Sequence, residues 1–318
     1  MTEVITQEQL SQFVANNSNN NLVANSTLRH EDHIAMGKKL VGTAKEKLVG
    51  VLDLYNRGLV VTLPNWGFTL YQYEKISGMT DAEVTMEAST DGQNDRQTFT
   101  QAALPVPVIH KDFQLGARQW QASQNSGSGL DLTQLSESAR NVSDKLEDML
   151  FNGLPSLIVS GSQIYGYTNH PERTTVTLAG TGWGTSSGRD IIGDTKNMLQ
   201  AMYDANRYGP FVMYVAKNVW AELELDYSTS KGDRTFKERI EAFEGIEAVK
   251  CSTKLADDDV VLVQMTDDVV KMIVAKDISY VQYSNDPFTT KFKTVMAAAP
   301  LIMSDKNGSC AVVHGSPS

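Results

Sequence analysis

The residue types and spacings that come nearest to chemistry are His30 and His33 in RHEDHIA, Ser186 in GTSSG, and the aspartates of DGQND (91–95) and of Asp257-Asp258-Asp259. Two histidines about one helical turn apart could share a metal ion, but the zinc-protease helix sets them four apart and here they are three apart. His110, His170 and His314 are scattered and gather no set of three or four ligands. The two acidic runs lack the alternating oxygens and distal glutamate of a calcium loop and read as solvated turns. GTSSG fits the GxSxG elbow of hydrolases, centred on Ser186. Such an elbow follows a buried apolar strand, however, and the residues before this one are Thr, Gly and Trp. There is no GxxxxGK[ST] loop and no GxGxxG fingerprint. With no converging set of groups for an enzyme mechanism, the sequence points to a structural role, with no catalytic residue, cofactor or metal.

Composition agrees with such a role. A chain of 318 residues with 41% hydrophobic and 21% charged residues is long enough for two or three modules around a sizeable core. The formal charge of -10 argues against a protein that binds nucleic acid by neutralising phosphates. It leaves open a container that holds nucleic acid without adhering to it, and it keeps a concentrated protein soluble. No apolar run is long enough to predict a membrane span. The opening residues lack the basic start and apolar core of a secretory signal, so synthesis without export is expected. Two cysteines, Cys251 and Cys310, are too few for a disulfide framework and read as small buried hydrophobes.

The elements that would position these residues are legible from periodicity. Residues 1 to 30, with the run NNSNNN, form a polar arm that cannot bury enough apolar surface to order itself. A first helix is predicted from about Asp32 to Asn56, with Leu40, Val41, Ala44, Leu48, Val51, Leu52 and Tyr55 on one face. Its three internal glycines make it dependent on packing and prone to bend. From Leu59 to about Phe113 the period changes to two, and DAEVTME and RQTFT read as strands joined by the polar turn STDGQND. Then Leu132, Leu135, Ala139, Val142, Leu146 and Met149 recur at steps of three and four, predicting one long helix over 131–152 that stops at Gly153. A helix near 190–206, the buried strand FVMYVA, Asn218 as an N-cap, and a series of C-terminal strands follow without βαβ alternation, which makes the fold class α+β.

Five stretches carry a likeness to a known family: RGLVVTLPNWGFTLYQYEKISGM, LPVPVIHKDFQLGARQW, LSESARNVSDKLEDMLFNG, GPFVMYVAKNVWAELE, and the run from VVKMIVAKDISYVQY to AAAPLIM. In this order, over roughly residues 32 to 305, the chain resembles the major capsid proteins of tailed bacteriophages and the encapsulins, which share the Hong Kong 97 fold. The resemblance implies an N-terminal arm and first helix (1–58), an extended loop (59–113), a peripheral domain with the spine helix 131–152 (114–189), an axial domain (190–265), and peripheral-domain strands with the C-terminus (266–318).

Its functional implication is a major capsid protein that assembles in the host cytoplasm, as pentamers and hexamers, into the icosahedral shell of a virion around double-stranded DNA. An encapsulin shell around a protein cargo is the second expectation, and an α+β enzyme or binding protein using Ser186 the third. The partner is the chain itself, with separate scaffold, portal and decoration proteins, DNA enclosed without sequence-specific binding, and no membrane. Asp91, Asp95 and Arg96 at the loop tip, with Arg140 and Glu147 on the spine, are the expected subunit contacts. Only about thirty polar residues precede the first helix, so no large fused scaffold is expected. In the cross-linked member of the family a loop lysine joins a neighbour's asparagine. Here the loop from Tyr71 to Thr100 holds one lysine, Lys75, near its base, so a shell without covalent cross-links is expected.

Overall fold

The computed structural model describes residues 36–40, 42–43, 48–76, 86, 99–116, 132–180, 182–184, 188–225, 234–286, 289–305 and 308–317. In chain order its elements are α1 (Gly50–Asn56), β1 (Val60–Thr62), β2 (Leu70–Ile76), β3 (Phe99–Pro105), β4 (Val108–Gly116), α2 (Thr133–Asn152), β5 (Leu154–Val159), β6 (Ser162–Ile164) and β7 (Thr174–Thr177). There follow α3 (Gly188–Asp204), β8 (Phe211–Ala216), α4 (Lys217–Leu223), α5 (Phe236–Glu241), β9 (Ile246–Ser252), β10 (Val260–Gln264), β11 (Val270–Asp286), β12 (Thr289–Ile302) and β13 (Val312–Ser316).

The helix α2 runs for 20 residues, about 30 Å at its rise per residue. Every apolar position of the predicted stripe from Leu135 to Met149 is buried. It ends where the sequence places its stop. Gly153 adopts φ +67, and a Cβ there would stand 2.6 Å from the Ile164 carbonyl oxygen, so only glycine fits the close approach of the β5–β6 hairpin.

Two sheets flank this helix. One is four-stranded in the order β1-β11-β12-β4, and the length of the β11–β12 pair makes it a tongue. The other is five-stranded and mixed, in the order β7-β13-β10-β8-β9. Its strands β8 and β10 are buried at every position, as near-continuous apolar runs in a covered sheet should be, with Gln264 at the end of β10 the one polar residue. α3 packs on it through Ile191, Met198, Leu199 and Met202. β2 and β3 form a separate two-stranded ribbon, and β5 and β6 a short hairpin.

Three expectations change. The first helix is interrupted. Residues 36–40 and 42–43 are helical, but Leu48 and Val49 are not, and α1 starts afresh at Gly50. The break resets the phase, so α1 buries Val51, Asp53 and Leu54, while Tyr55 is exposed. Of residues 59–113, expected as one extended loop, only β2 and β3 make the ribbon, whereas β1 and β4 pair into the four-stranded sheet. At the C-terminus, β13 leaves the strands it follows and joins the five-stranded sheet between β7 and β10, because its buried Val312 and Val313 complete that sheet's core. The N-terminal arm and the turn STDGQND lie outside the described residues.

Candidate self-association surfaces

Glu147, expected at a subunit contact, is instead internal. It is 3% exposed, and its carboxylate faces the first residues of α1. Oε1 accepts from the Val49 and Gly50 N–H groups at 3.2 and 2.7 Å, and Oε2 from Val51 N–H at 3.2 Å. The break at Val49 leaves amides without helical partners, and Glu147 satisfies them. Burial pushes the carboxyl above its ordinary range, against the pull of those three donors. Asp53 lies nearby, bonded by Tyr214 Oη at 2.7 Å and ion-paired with Lys250. Burial raises the Tyr214 and Tyr167 phenols far above their usual range. This buried group joins α1, α2 and the five-stranded sheet. Sequence reading passed over it, although an aspartate on the apolar side of VLDLY was a visible signal.

Arg140 stands exposed on α2 with Glu137 3.8 Å away. Asp91, Asp95 and Arg96 lie outside the described residues, as do His30, His33 and Ser186.

The described part of the ribbon is anchored along the chain's own core. Tyr71 and Tyr73 pack on the cluster of Leu104, Ile164 and Leu301. Lys75 Nζ donates to Ser304 Oγ at 3.1 Å and stands 4.0 Å from Glu172. Beyond that point Phe99 is 60% exposed. A cleft of about 500 Å³ separates the ribbon from the β5–β6 hairpin and the end of β12. Its floor includes His170, whose Nδ1 accepts Glu172 N–H at 3.2 Å and whose ring meets Tyr165 edge-on. Burial first, then Lys75 and Arg173, outweighs Glu172 and pushes the imidazole down to about 4.

Among the described residues the outer tongue is covered on one side, by α2. Phe113 and Phe292 stack at 5.1 Å beneath α2. On the other side the register sets Lys293 between Asp112 and Val281, and Lys291 beside Tyr283. Tyr283 Oη donates to Asp112 at 2.6 Å, and Lys293 Nζ lies 3.5 Å from Asp112 and 5.3 Å from the Tyr283 ring centre. The Tyr283 bond, followed by Lys293, holds Asp112 below the usual carboxylate range.

The remaining candidates have structural partners. Asp258, at φ +65, accepts from Gly184 N–H at 2.9 Å, and Asp259 pairs with His314 at 3.1 Å. Asn218 does not cap α4, whose N-cap is Ala216; its Oδ1 accepts from Asp258 N–H at 3.1 Å. Among the described residues no three His, Cys, Asp or Glu side chains form a metal-holding group, and no helix is long and apolar enough to cross a membrane.

A spine helix flanked by a long tongue, a mixed five-stranded sheet and a projecting ribbon is the Hong Kong 97 fold. A virus-like particle from Pyrococcus furiosus shares it at 17% identity and TM-score 0.63, over 90% of this chain and 98% of that one. The capsid of Myoviridae phage XM1 does so at 12% identity and TM-score 0.62, over 83% and 91%. Mycobacterium phage Bobi aligns over 99% of both chains at 13% identity and TM-score 0.61. Within this fold the chain belongs to a family described as a family of unknown function (DUF6260), which it matches over residues 43–315. None of the curated proteins matches it.

Proposed function

We propose that this chain is a major capsid protein that assembles into an icosahedral shell of pentamers and hexamers around phage double-stranded DNA. The observation that carries the reading is the β2–β3 ribbon. Its base packs on the chain's own core through Tyr71 and Tyr73, but the pair reaches an exposed Phe99 and a further twenty-two residues, 77–98, join its strands, more than a two-stranded pair has core to hold. A second copy supplies the missing surface. The lobe of the five-stranded sheet then forms the capsomer centre, and Arg140, Asp91, Asp95 and Arg96 meet neighbours. Scaffold, portal and decoration proteins are separate chains, and DNA is enclosed by an acidic wall without sequence-specific contact. The shell is part of the virion and is built in the host cytoplasm. No catalytic role is assigned.

Deleting Glu83 to Thr98 leaves soluble subunits or isolated capsomers on this account. Normal closed particles from the deleted chain would contradict it. The likeness to the Pyrococcus furiosus particle supports a second reading, an encapsulin-type shell around protein cargo. Nuclease-protected DNA inside purified particles favours the first, and a co-purifying enzyme the second.

A further inference from the structure

Asp53 of α1 and Lys250 of the edge strand β9 are 197 positions apart in sequence and meet in space. Each oxygen of the Asp53 carboxyl has its own partner: Lys250 Nζ lies against Oδ1, and Tyr214 Oη donates to Oδ2 at 2.7 Å. The Asp53 side chain is 7% exposed. Tyr214 continues into a packed cluster with Phe151 and Tyr167, the ring centres 5.2 to 6.2 Å apart. Glu147 sets a second buried carboxyl close to Asp53. Two carboxyls in one buried site favour the loss of one charge. An amine, a carboxyl held at both oxygens and surroundings that disfavour charge are the parts of an amide-forming site.

We infer that Asp53 and Lys250 are a self-modification site, condensing in the folded chain to an amide bond between Lys250 Nζ and Asp53 Cγ. The ammonium first gives one proton to Oδ1, and the neutral amine adds to Cγ. The nitrogen then gives a second proton to Oδ1, the Cγ–Oδ1 bond breaks, and Oδ1 leaves as water. An ammonium and a carboxylate thus become one amide and one water, with no oxidant or other reactant. Oδ2 becomes the amide carbonyl oxygen, and Tyr214 Oη is already placed to donate to the charge that gathers on it. Fixing amine and carboxyl side by side makes the condensation a unimolecular step. It also removes two charges whose desolvation the fold otherwise has to offset. The Lys250 side chain is 37% exposed, which leaves the water a way out. The bond is internal to one copy, so it joins no two subunits and does not depend on the shell reading. It pins β9 to α1 beside the Arg57–Glu247 ion pair and closes a long loop of chain, which restricts the unfolded state.

The test is the intact mass of the full chain, purified folded and then denatured. The wild type is expected to weigh one water less than its sequence requires. Tryptic digestion should release a branched peptide that joins the Asp53 segment to the Lys250 segment and is uncut after Lys250. Lys250→Arg keeps a cation beside Asp53 but has no amine able to condense, so it should show the full mass and unfold at lower urea. Tyr214→Phe keeps the ring and removes the donor to Oδ2, and in freshly made protein it should slow the loss of water by about 100-fold. If Lys250→Arg does not fold, the branched peptide of the wild type decides alone. A wild-type chain of full mass, with cleavage after Lys250, would overturn the inference and leave an ion pair. A missing water that persists in Lys250→Arg, or that maps to a succinimide at another residue, would overturn it equally.

Discussion

At the residue scale, two buried titratable groups carry opposite signs. The fold holds His170 neutral, with its pKa pushed down to about 4. Its unfolded value is about 6.5, so its contribution is present above that pH and lost as pH falls toward the folded value, a loss of about 2 kcal/mol by pH 5. His170→Asn should remove that part of the acid destabilisation, and urea midpoints at pH 7 and pH 5 measure it. Glu147 works the other way. Its raised folded pKa means that its contribution is present below the unfolded value and lost as pH rises through the folded one. Glu147→Ala strips an acceptor from three buried amides and should cost about 3 kcal/mol in the same assay, with Glu147→Gln costing less. Neither role was legible beforehand. Glu147 sits in an ordinary acidic helix, SDKLEDM, and only the break at Val49 brings bare amides to it.

At the element scale, the long helix shows which features periodicity reveals. From Leu135 to Met149 the stripe is continuous, so α2 and its stop at Gly153 are readable from spacing, as are the apolar β8 and the apolar run Val260–Val263 of β10. What escaped depends on distant partners. Nothing local tells that Val312 and Val313 pair with β10 and not with the strand they follow, or that β4 belongs to a sheet and not to the ribbon. The stripe also supports a quantitative expectation. Leu146 is fully buried between α1 and the five-stranded sheet's core, so Leu146→Ala should cost about 2–5 kcal/mol by chemical denaturation. A cost under about 1 kcal/mol would mean that the spine is not the support described.

At the scale of the whole molecule, the shell reading makes the ribbon a surface through which neighbouring copies meet. Lys75 bears on how they are held together. Its amine is engaged with Ser304 and Glu172 beside the cleft and is the sole lysine between Tyr71 and Thr100, so the shell should hold without covalent cross-links. Particles boiled in detergent should run as one band near 35.0 kDa; a ladder that survives reducing agent would refute this. The most direct measurement of the central claim is electron cryomicroscopy of the purified full-length chain across a range of salt and concentration. Closed icosahedral particles, with α2 and the tongue repeated in every subunit and the ribbon of each lying on its neighbour, are the expected result. A population that stays monomeric or dimeric under every condition would contradict it.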